Sequence, residues 1–134
     1  MSATESKAAG VRKDAVRSYK DLLVWQKGIV LVKCIYRLTE PFPAAEKFGL
    51  VSQMRRAAVS IPSNIAEGQC RRTRGEFIQF VSHSEGSLAE LETQLIVSVE
   101  LGYCTSADIR EVAELTTELS KMLDSLRRKL EAKT

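Results

Sequence analysis

Hydrophobic residues recur at helical spacing in four successive segments of this chain. The spacing predicts helices over about residues 19–39, 45–68, 74–101 and 105–130. Three of these helices have at least twenty residues, and the connections between them are short. This pattern is typical of an all-α, antiparallel up-down four-helix bundle, which we assign to residues 18–134. Residues 1–17 are small and charged without periodicity, and we predict that they form a disordered arm.

The first predicted helix is apolar around most of its circumference. Its apolar residues are interrupted by a narrow polar stripe, formed by Gln26, Lys27, Lys33 and Arg37. An outer helix of a monomeric bundle needs an apolar arc of little more than about 100°. We therefore expect part of this helix to contact another subunit.

The second predicted helix combines an apolar face with an internal proline. The face is formed by Leu50, Met54, Ala57, Ile61 and Ile65. Pro62 lies inside this pattern and lacks a backbone donor, so we expect the helix to bend or break there. Arg55 and Arg56 project away from the apolar face.

Helix-capping signals mark the ends of the later helices. Thr73 and Glu76 have the spacing of a capping box at the start of the third helix. Gly102 is a candidate C-cap for the same helix, and residues 105–108 begin the fourth. These signals support helix boundaries that periodicity alone gives only roughly.

Charge is unevenly distributed along the chain, although the total is only +3. Residues 47–74 contain six basic residues and one acidic residue, a net charge of +5. Residues 76–118 contain nine acidic residues and one basic residue, a net charge of −8. Such segregation favours either basic–acidic contact between subunits or one basic surface that binds a polyanion.

The basic segment supplies the candidate phosphate contacts, which are Arg55, Arg56, Arg71, Arg72 and Arg74. The amino end of the third helix lies beside the last three and adds its positive dipole end. The alternative is that these arginines are only solvated, or are paired with Glu67, Glu76 or a neighbouring subunit. Both readings remain open at this point.

Aromatic residues are expected to serve packing. Trp25 and Tyr36 have core-like spacing on the first helix, and the phenylalanines are interpreted as core or loop anchors, Phe48 among them. Few aromatic side chains are then left near the arginines for stacking on bases. The predicted recognition is therefore of nucleic-acid shape or backbone.

No pattern for catalysis or for a cofactor is found. His83 is the only histidine, and its polar neighbours share its helix, so a surface role is favoured over a general base. The Glu-x-x-His pairs of di-iron bundles and a glycine-rich phosphate loop are absent from the sequence. We expect a non-enzymatic protein without metal or cofactor.

The cysteines and the amino terminus indicate a cytoplasmic protein that does not enter a membrane. Cys34, Cys70 and Cys104 are odd in number and widely separated, which favours free thiols. The amino terminus lacks an apolar signal region, and no aliphatic run is long enough to span a bilayer.

Three segments together resemble a known family. They are LLVWQKGIVLVKCIYRLTEPFP, EKFGLVSQMRRAAVSIPSNIAEG and FIQFVSHSEGSLAELETQLIVSVELGY, within about residues 20–130. In this order they resemble the four-helix bundle proteins encoded by intervening sequences of bacterial 23S rRNA genes. The resemblance implies a homopentameric ring without established catalytic activity, whose basic residues face RNA or a partner protein.

A related branch of the family comprises accessory variability proteins of diversity-generating retroelements, which bind a reverse transcriptase and nucleic acid. Two hypotheses follow for this chain. The first is an oligomeric bundle that binds RNA or nucleic-acid phosphates. The second is a protein-interaction scaffold, or accessory subunit of a nucleic-acid-processing protein, that presents its acidic third and fourth helices and does not bind nucleic acid itself.

Overall fold

The computed structural model describes residues 18–133, which form a four-helix bundle. The helices are α1 (Leu23–Thr39), α2 (Leu50–Gln69), α3 (Arg74–Glu100) and α4 (Arg110–Ala132). Each helix packs against the next one, and α4 packs back against α1. The predicted all-α fold is confirmed over these residues, while the predicted amino-terminal arm lies outside them.

Short connections make neighbouring helices antiparallel, so the bundle has two distinct ends. The end that contains the first residues of α1 and α3 and the last residues of α2 and α4 is called the lower end. The opposite end is called the upper end.

Three helices begin later than their periodicity predicts. The fourth begins at Arg110 and not at residues 105–108, which lie in a turn where the Thr105 amide donates to Asp108 Oδ2 and the Asp108 amide donates to Thr105 Oγ1. The other two begin after short 3-10 turns. Residues Tyr19–Asp21 form a separate 3-10 turn, and Leu22 is extended (φ −78°, ψ 124°), so α1 begins only at Leu23. A second 3-10 turn at Ala44–Glu46 precedes α2, whose N-cap is Gly49. Local turns at both places use the backbone groups that a longer helix would have paired.

The apolar faces predicted for α2 and α4 form the core. Met54 and Ile61 from α2 and Leu119 and Leu123 from α4 are fully buried. They pack with Ile35 of α1 and with residues of α3 in one continuous cluster. Four amphipathic helices with one buried face each therefore account for the architecture.

α2 continues through Pro62 as one helix, so the predicted break is wrong, and a bend at this position stays a prediction. Two hydrogen bonds satisfy carbonyl groups beside the proline. The Asn64 side chain donates to the Ser60 carbonyl (2.7 Å), and the Ser84 hydroxyl of α3 donates to the Ile61 carbonyl (2.9 Å). The carbonyl that loses its helical donor to Pro62 is that of Ala58, four residues earlier, so these two bonds do not replace the missing one. They fix the backbone on the amino side of the proline and join it to α3.

Glycines allow α2 to approach both of its neighbours closely. A Cβ atom at Gly28 of α1 would lie 3.2 Å from the Pro62 Cβ. A Cβ atom at Gly68 would lie 2.6 Å from the Phe80 Cβ and 3.0 Å from the Phe77 Cδ1 of α3. These contacts set the spacing of α2 from α1 near its middle and from α3 at the lower end.

The predicted caps of α3 are present. Thr73 and Glu76 form a reciprocal capping box at its start. At its end, Gly102 has φ +79°, and the amides of Gly102 and Tyr103 donate to the carbonyls of Val99 and Ser98. This is a Schellman motif, which requires a left-handed residue and so favours glycine.

Gly68→Ala is predicted to destabilise the protein although alanine is the better helix former. The Phe80 Cβ is fixed next to its own backbone, so the new methyl group forces α2 and α3 apart. Overpacking of this kind costs about 1–3 kcal/mol. Gly86→Ala is the matched control, because a Cβ atom at Gly86 of α3 meets no atom within 4 Å. It is expected to raise the free energy of unfolding by up to about 1 kcal/mol. Urea denaturation measures both changes, and equal stabilisation by the two variants would refute the close contact.

Candidate nucleic-acid interface

The structure divides the five candidate arginines between the two ends of the bundle. Arg55 and Arg56 lie in the second turn of α2, near the upper end. The other three follow α2 or begin α3 at the lower end. Gln69 is the last residue of α2, at the lower end, and the rise of the helix from Arg56 to Gln69 is about 20 Å. The arginines therefore belong to two separate surfaces.

At the lower end, the three arginines differ in their partners. Arg71 forms an ion pair with Glu67 (2.7 Å), and its guanidinium lies 4.8 Å from the centre of the Phe80 ring. Arg74 donates to the carbonyl oxygen of Lys133 at 3.2 Å, which leaves its charge uncompensated. Arg72 is exposed and has no ion pair or side-chain hydrogen bond within residues 18–133.

The contact between Arg74 and Lys133 brings the carboxyl end of α4 to the same surface. Lys129 and Lys133 are exposed there and lack an acidic partner within the described part of the chain. Lys20, before α1, adds a further exposed cation at this end. These lysines are distant from the arginines in sequence, so local patterns did not assign them to the same surface.

Other basic residues of α4 are used within the subunit. Arg127 binds Glu85 of α3 (3.0 Å), and the hydrogen bond to Glu85 raises the pKa of Arg127. It also pairs with Asp124 (2.6 Å), as does Arg128 (2.9 Å). Arg127 thus links α4 to α3, and Arg128 is paired within α4, so both are weaker candidates for an external anion.

Net charge distinguishes the two ends. The segments at the lower end, residues 18–23, 67–76 and 124–133, hold eight basic and five acidic residues. The segments at the upper end, residues 36–56 and 97–113, hold five of each. The lower end therefore has an excess charge of +3, whereas the upper end is neutral overall.

At the upper end, Arg55 is bound to the last turn of α1. Its Nε donates to the Thr39 hydroxyl (2.9 Å), and its Nη2 donates to the Tyr36 carbonyl (3.3 Å) and lies 3.4 Å from Glu40. The guanidinium also lies 4.4 Å from the centre of the Tyr36 ring. A cation at this position satisfies helix carbonyls and complements the dipole of α1.

Arg56 projects instead towards solvent and has no ion pair within residues 18–133. It lines an open groove of about 620 Å³ between α1 and α2, which we call the α1–α2 groove. The lining includes Tyr36, Lys47, Phe48 and Val59. A free guanidinium therefore adjoins aromatic and aliphatic surface.

Phe48 is not the core or loop anchor that the sequence predicts, because 89% of it is exposed. Tyr36, predicted to serve packing, is also 43% exposed, whereas Phe42 is buried. The expectation that aromatic side chains are scarce near the arginines is thus wrong at the upper end. The turn before α2 directs Phe48 outward, which its hydrophobicity did not indicate.

A network of hydrogen bonds fixes that turn. Glu46 accepts the Leu50 amide through Oε1 (3.0 Å) and the Tyr103 hydroxyl through Oε2 (2.7 Å). These bonds lower the pKa of Glu46, and the same contact raises the pKa of Tyr103. Gly49 leaves room for this carboxylate, since a Cβ atom there would lie 2.8 Å from Oε1. The backbone at Phe48 is therefore fixed by contacts of residues that precede it and follow it in sequence.

Several apolar residues of α1 are exposed in the single chain. Leu23 is 57%, Val30 47% and Ile29 37% exposed. They lie in the lower half of α1, away from the α1–α2 groove. This distribution agrees with the wide apolar arc seen in the sequence.

The remaining candidate groups are not assembled into a reactive site. His83 is exposed on α3, and its ring contacts Phe80 edge-on. All three cysteines are free, and burial raises the pKa of Cys34 and Cys104, which disfavours reactive thiolates. No group of three potential ligand side chains is arranged for a metal ion between Ser18 and Lys133.

Among the helices of residues 18–133, none is long and apolar enough to cross a membrane.

The fold and the charged surfaces define a four-helix bundle with a basic lower end, within the described residues. A family model for the 23S rRNA-intervening sequence protein matches residues 20–125. Because the match covers most of the chain, this protein belongs to the 23S rRNA-intervening sequence protein family, as its sequence motifs predicted.

A solved structure supports the same fold. It is a protein of unknown function from the S23 ribosomal protein family of Bacteroides thetaiotaomicron, with a TM-score of 0.71 and 23% sequence identity. The similarity covers 78% of this chain and 98% of that chain. At this identity, the comparison establishes the shared fold and not the function. No curated protein matches the chain significantly.

Arg55 and Arg56 are predicted to differ sharply in their effect on stability. Arg55→Ala removes hydrogen bonds to Thr39 and Tyr36 and should lower the free energy of unfolding by about 1–3 kcal/mol. Arg56→Ala should change it by less than about 0.5 kcal/mol, since Arg56 makes no ion pair or side-chain hydrogen bond within residues 18–133. Chemical denaturation of the two variants provides the comparison. Equal effects would contradict the assignment of Arg55 to the end of α1.

Proposed function

We propose that this protein is a non-enzymatic, cytoplasmic, homo-oligomeric bundle that binds RNA phosphates through its lower end. The observation that carries the proposal is the set of uncompensated cations gathered there from separate parts of the chain. They are Lys20, Arg72, Arg74, Lys129 and Lys133, with Arg71 partly neutralised by Glu67. Several cations on one surface suit a phosphate backbone, which presents regularly spaced negative charges.

The mode of binding follows from the chemistry of this surface. Its exposed cations can hold phosphates without contacting base edges, so recognition would depend on shape and charge. The aromatic residue nearest to Arg71 is Phe80, and one face of its ring is covered by that guanidinium. Binding at the lower end should therefore be strongly salt-dependent and weakly selective for sequence.

Assembly into a ring, with five subunits as the family resemblance implies, forms part of the proposal. Exposed Leu23, Ile29 and Val30 on α1 support a subunit contact, because a cluster of such residues is costly in water. Repetition of the lower end in one assembly would multiply the phosphate contacts available to one RNA.

A second candidate function is a protein-interaction scaffold that does not contact nucleic acid. It is favoured by exposed apolar residues on α3, namely Ile96 at 62% and Val97 at 37%, and by Leu101 at 55% after the helix. Acidic residues of α3 and α4 would surround this contact. Under this alternative, the basic lower end would be neutralised between subunits and would not bind RNA.

Arg72→Glu is predicted to weaken RNA binding without affecting the fold. Arg72 has no side-chain partner within the described residues, so the substitution breaks no internal contact of that kind. The melting temperature of the variant should therefore stay within about 1–2 °C of that of the parent. Fluorescence anisotropy with a labelled double-stranded RNA should show severalfold weaker binding. The slope of log K against log salt should also be shallower, by the amount that corresponds to the loss of about one or more phosphate contacts.

Arg110→Glu is the matched control, since it makes the same charge change at the upper end. Equal losses of affinity for both variants would indicate a response to net charge only. No binding of double-stranded RNA by the parent protein, even at low salt, would reject the function at the lower end and favour the scaffold.

Val30→Glu is predicted to disrupt the assembly. A carboxylate on the exposed apolar surface of α1 would be buried without a partner in a subunit contact. Light scattering of the parent should give a multiple of the 14.9 kDa chain mass, and the variant should move towards the single chain. Ser120→Glu, at an exposed position of α4, should leave the mass unchanged. A monomeric parent would refute the oligomer.

A further inference from the structure

An aromatic ring and two cations are exposed together at the upper end, in a place that the lower-end site does not explain. Phe48 is 89% exposed, and Lys47 and Arg56 are exposed on either side of it in sequence. All three line the α1–α2 groove. Neither cation forms an ion pair within residues 18–133.

We propose that the α1–α2 groove binds single-stranded nucleic acid, with a base stacked on Phe48 and an adjoining phosphate held by Arg56 and Lys47. The proposal rests on the proposed function in that it assumes a nucleic-acid ligand. It concerns a different surface, about 20 Å from the lower end. It also names a class of ligand, unpaired strands, that the lower end does not select.

The first argument is chemical complementarity. Single-strand binding surfaces combine cations that follow the backbone with aromatic rings on which bases stack. The α1–α2 groove offers both, and Val59 adds apolar surface beside them. Its volume of about 620 Å³ is in the range of sites for small organic ligands, so a nucleotide fits. A paired base inside a duplex could not reach the ring.

The second argument is preorganisation. Phe48 lies in a turn in which the amides of Glu46, Lys47 and Gly49 donate to the carbonyls of Pro43, Ala44 and Glu46. The Glu46 carboxylate ties the same turn to Leu50 and Tyr103. The backbone at Phe48 is therefore ordered before a base stacks, so only the rotamers of the exposed ring remain to be fixed on binding.

Neighbouring charges indicate on which side of α2 the strand lies. Arg56 and Phe48 also line a second depression, between α2 and α3, but Glu90 lies on its wall. A phosphate there would meet that carboxylate. On the α1 side, Glu40 is engaged by Arg55, whose guanidinium covers one face of the Tyr36 ring. The α1 side is therefore the favourable one. The Lys47 Nζ lies 5.5 Å from the centre of the Phe48 ring, so a base would stack on the opposite face of that ring, in a residue that is 89% exposed.

Substitutions at Phe48 test the inference without endangering the fold, because the side chain is almost fully exposed. The probe is a labelled ten-nucleotide oligouridine, titrated by fluorescence anisotropy at low salt. Phe48→Ala should weaken binding about tenfold, the order expected for the loss of one stacked base. Phe48→Leu should lose nearly as much, since it keeps apolar area but has no ring. Ile96→Ala, at an exposed apolar position on α3 (62%), should bind like the parent.

Phe48→Trp gives a direct signal of stacking. The chain has one tryptophan, Trp25, which packs against the core, so the fluorescence added by the variant reports on position 48. Oligouridine should bind with parental affinity and quench this added fluorescence. Parental affinity of Phe48→Ala, or no quenching in Phe48→Trp, would overturn the inference.

Two further measurements distinguish strand binding in the groove from a subunit contact and from binding at the lower end. A lower mass of Phe48→Ala in light scattering would identify the groove as a subunit contact and would overturn the inference. Double-stranded RNA should bind Phe48→Ala as it binds the parent, whereas Arg72→Glu should weaken that binding. If double-stranded RNA does not bind but oligouridine binding depends on Phe48, the proposed function of the lower end is rejected and the proposed single-strand site in the α1–α2 groove is retained.

Discussion

The close packing of α2 against both neighbours is the constraint on which the other features depend. Gly68 allows the lower end of α2 to meet Phe80, and Gly28 allows α1 to meet Pro62 near the middle of the bundle. Because packed helices do not deform gradually, these two contacts fix both the position and the rotation of α2. Because of the rotation of α2 about its axis, the Arg55 side chain points to the end of α1, whereas the side chain of Arg56, the next residue, points to solvent. Close contacts in the core thus determine which charges on the surface are free.

Adjacent arginines show why residue type alone is insufficient to assign a role. The guanidinium of Arg55 meets a hydroxyl, a carbonyl and an aromatic face, which together replace much of its hydration. A phosphate would have to compete with all three. Arg56 and Arg72 are exposed and have no acidic partner within residues 18–133, so an external anion can pair with them without displacing an internal one. Among cations of equal charge, those without internal partners are the better candidates for binding.

The sequence predicted the features that depend on local pattern. Apolar spacing identified the buried faces of α2 and α4, and the spacing of Thr73 and Glu76 identified a real capping box. Features that depend on tertiary structure were missed. Arg74 and Lys133 are distant in sequence but meet because α3 begins where α4 ends. Phe48 was expected to anchor the core or a loop because hydrophobicity favours burial on average, whereas the turn fixed by Glu46 points it outward. Local rules give the helices, and only their packing gives the surfaces.

The separation of the two basic surfaces has a consequence for how one nucleic acid could engage the protein. Within the described residues, the lower end offers several cations, and the nearby Phe80 ring is covered on one face by Arg71, which suits the regular backbone of a duplex. The α1–α2 groove offers two cations beside Phe48, which suits an unpaired strand. Each surface alone makes few phosphate contacts, so each should bind weakly at physiological salt. An RNA with a duplex and an adjoining single strand about 20 Å away could contact both, and the second contact would then be intramolecular. Under the two proposals, junctions between paired and unpaired RNA are the ligands that this bundle binds most tightly.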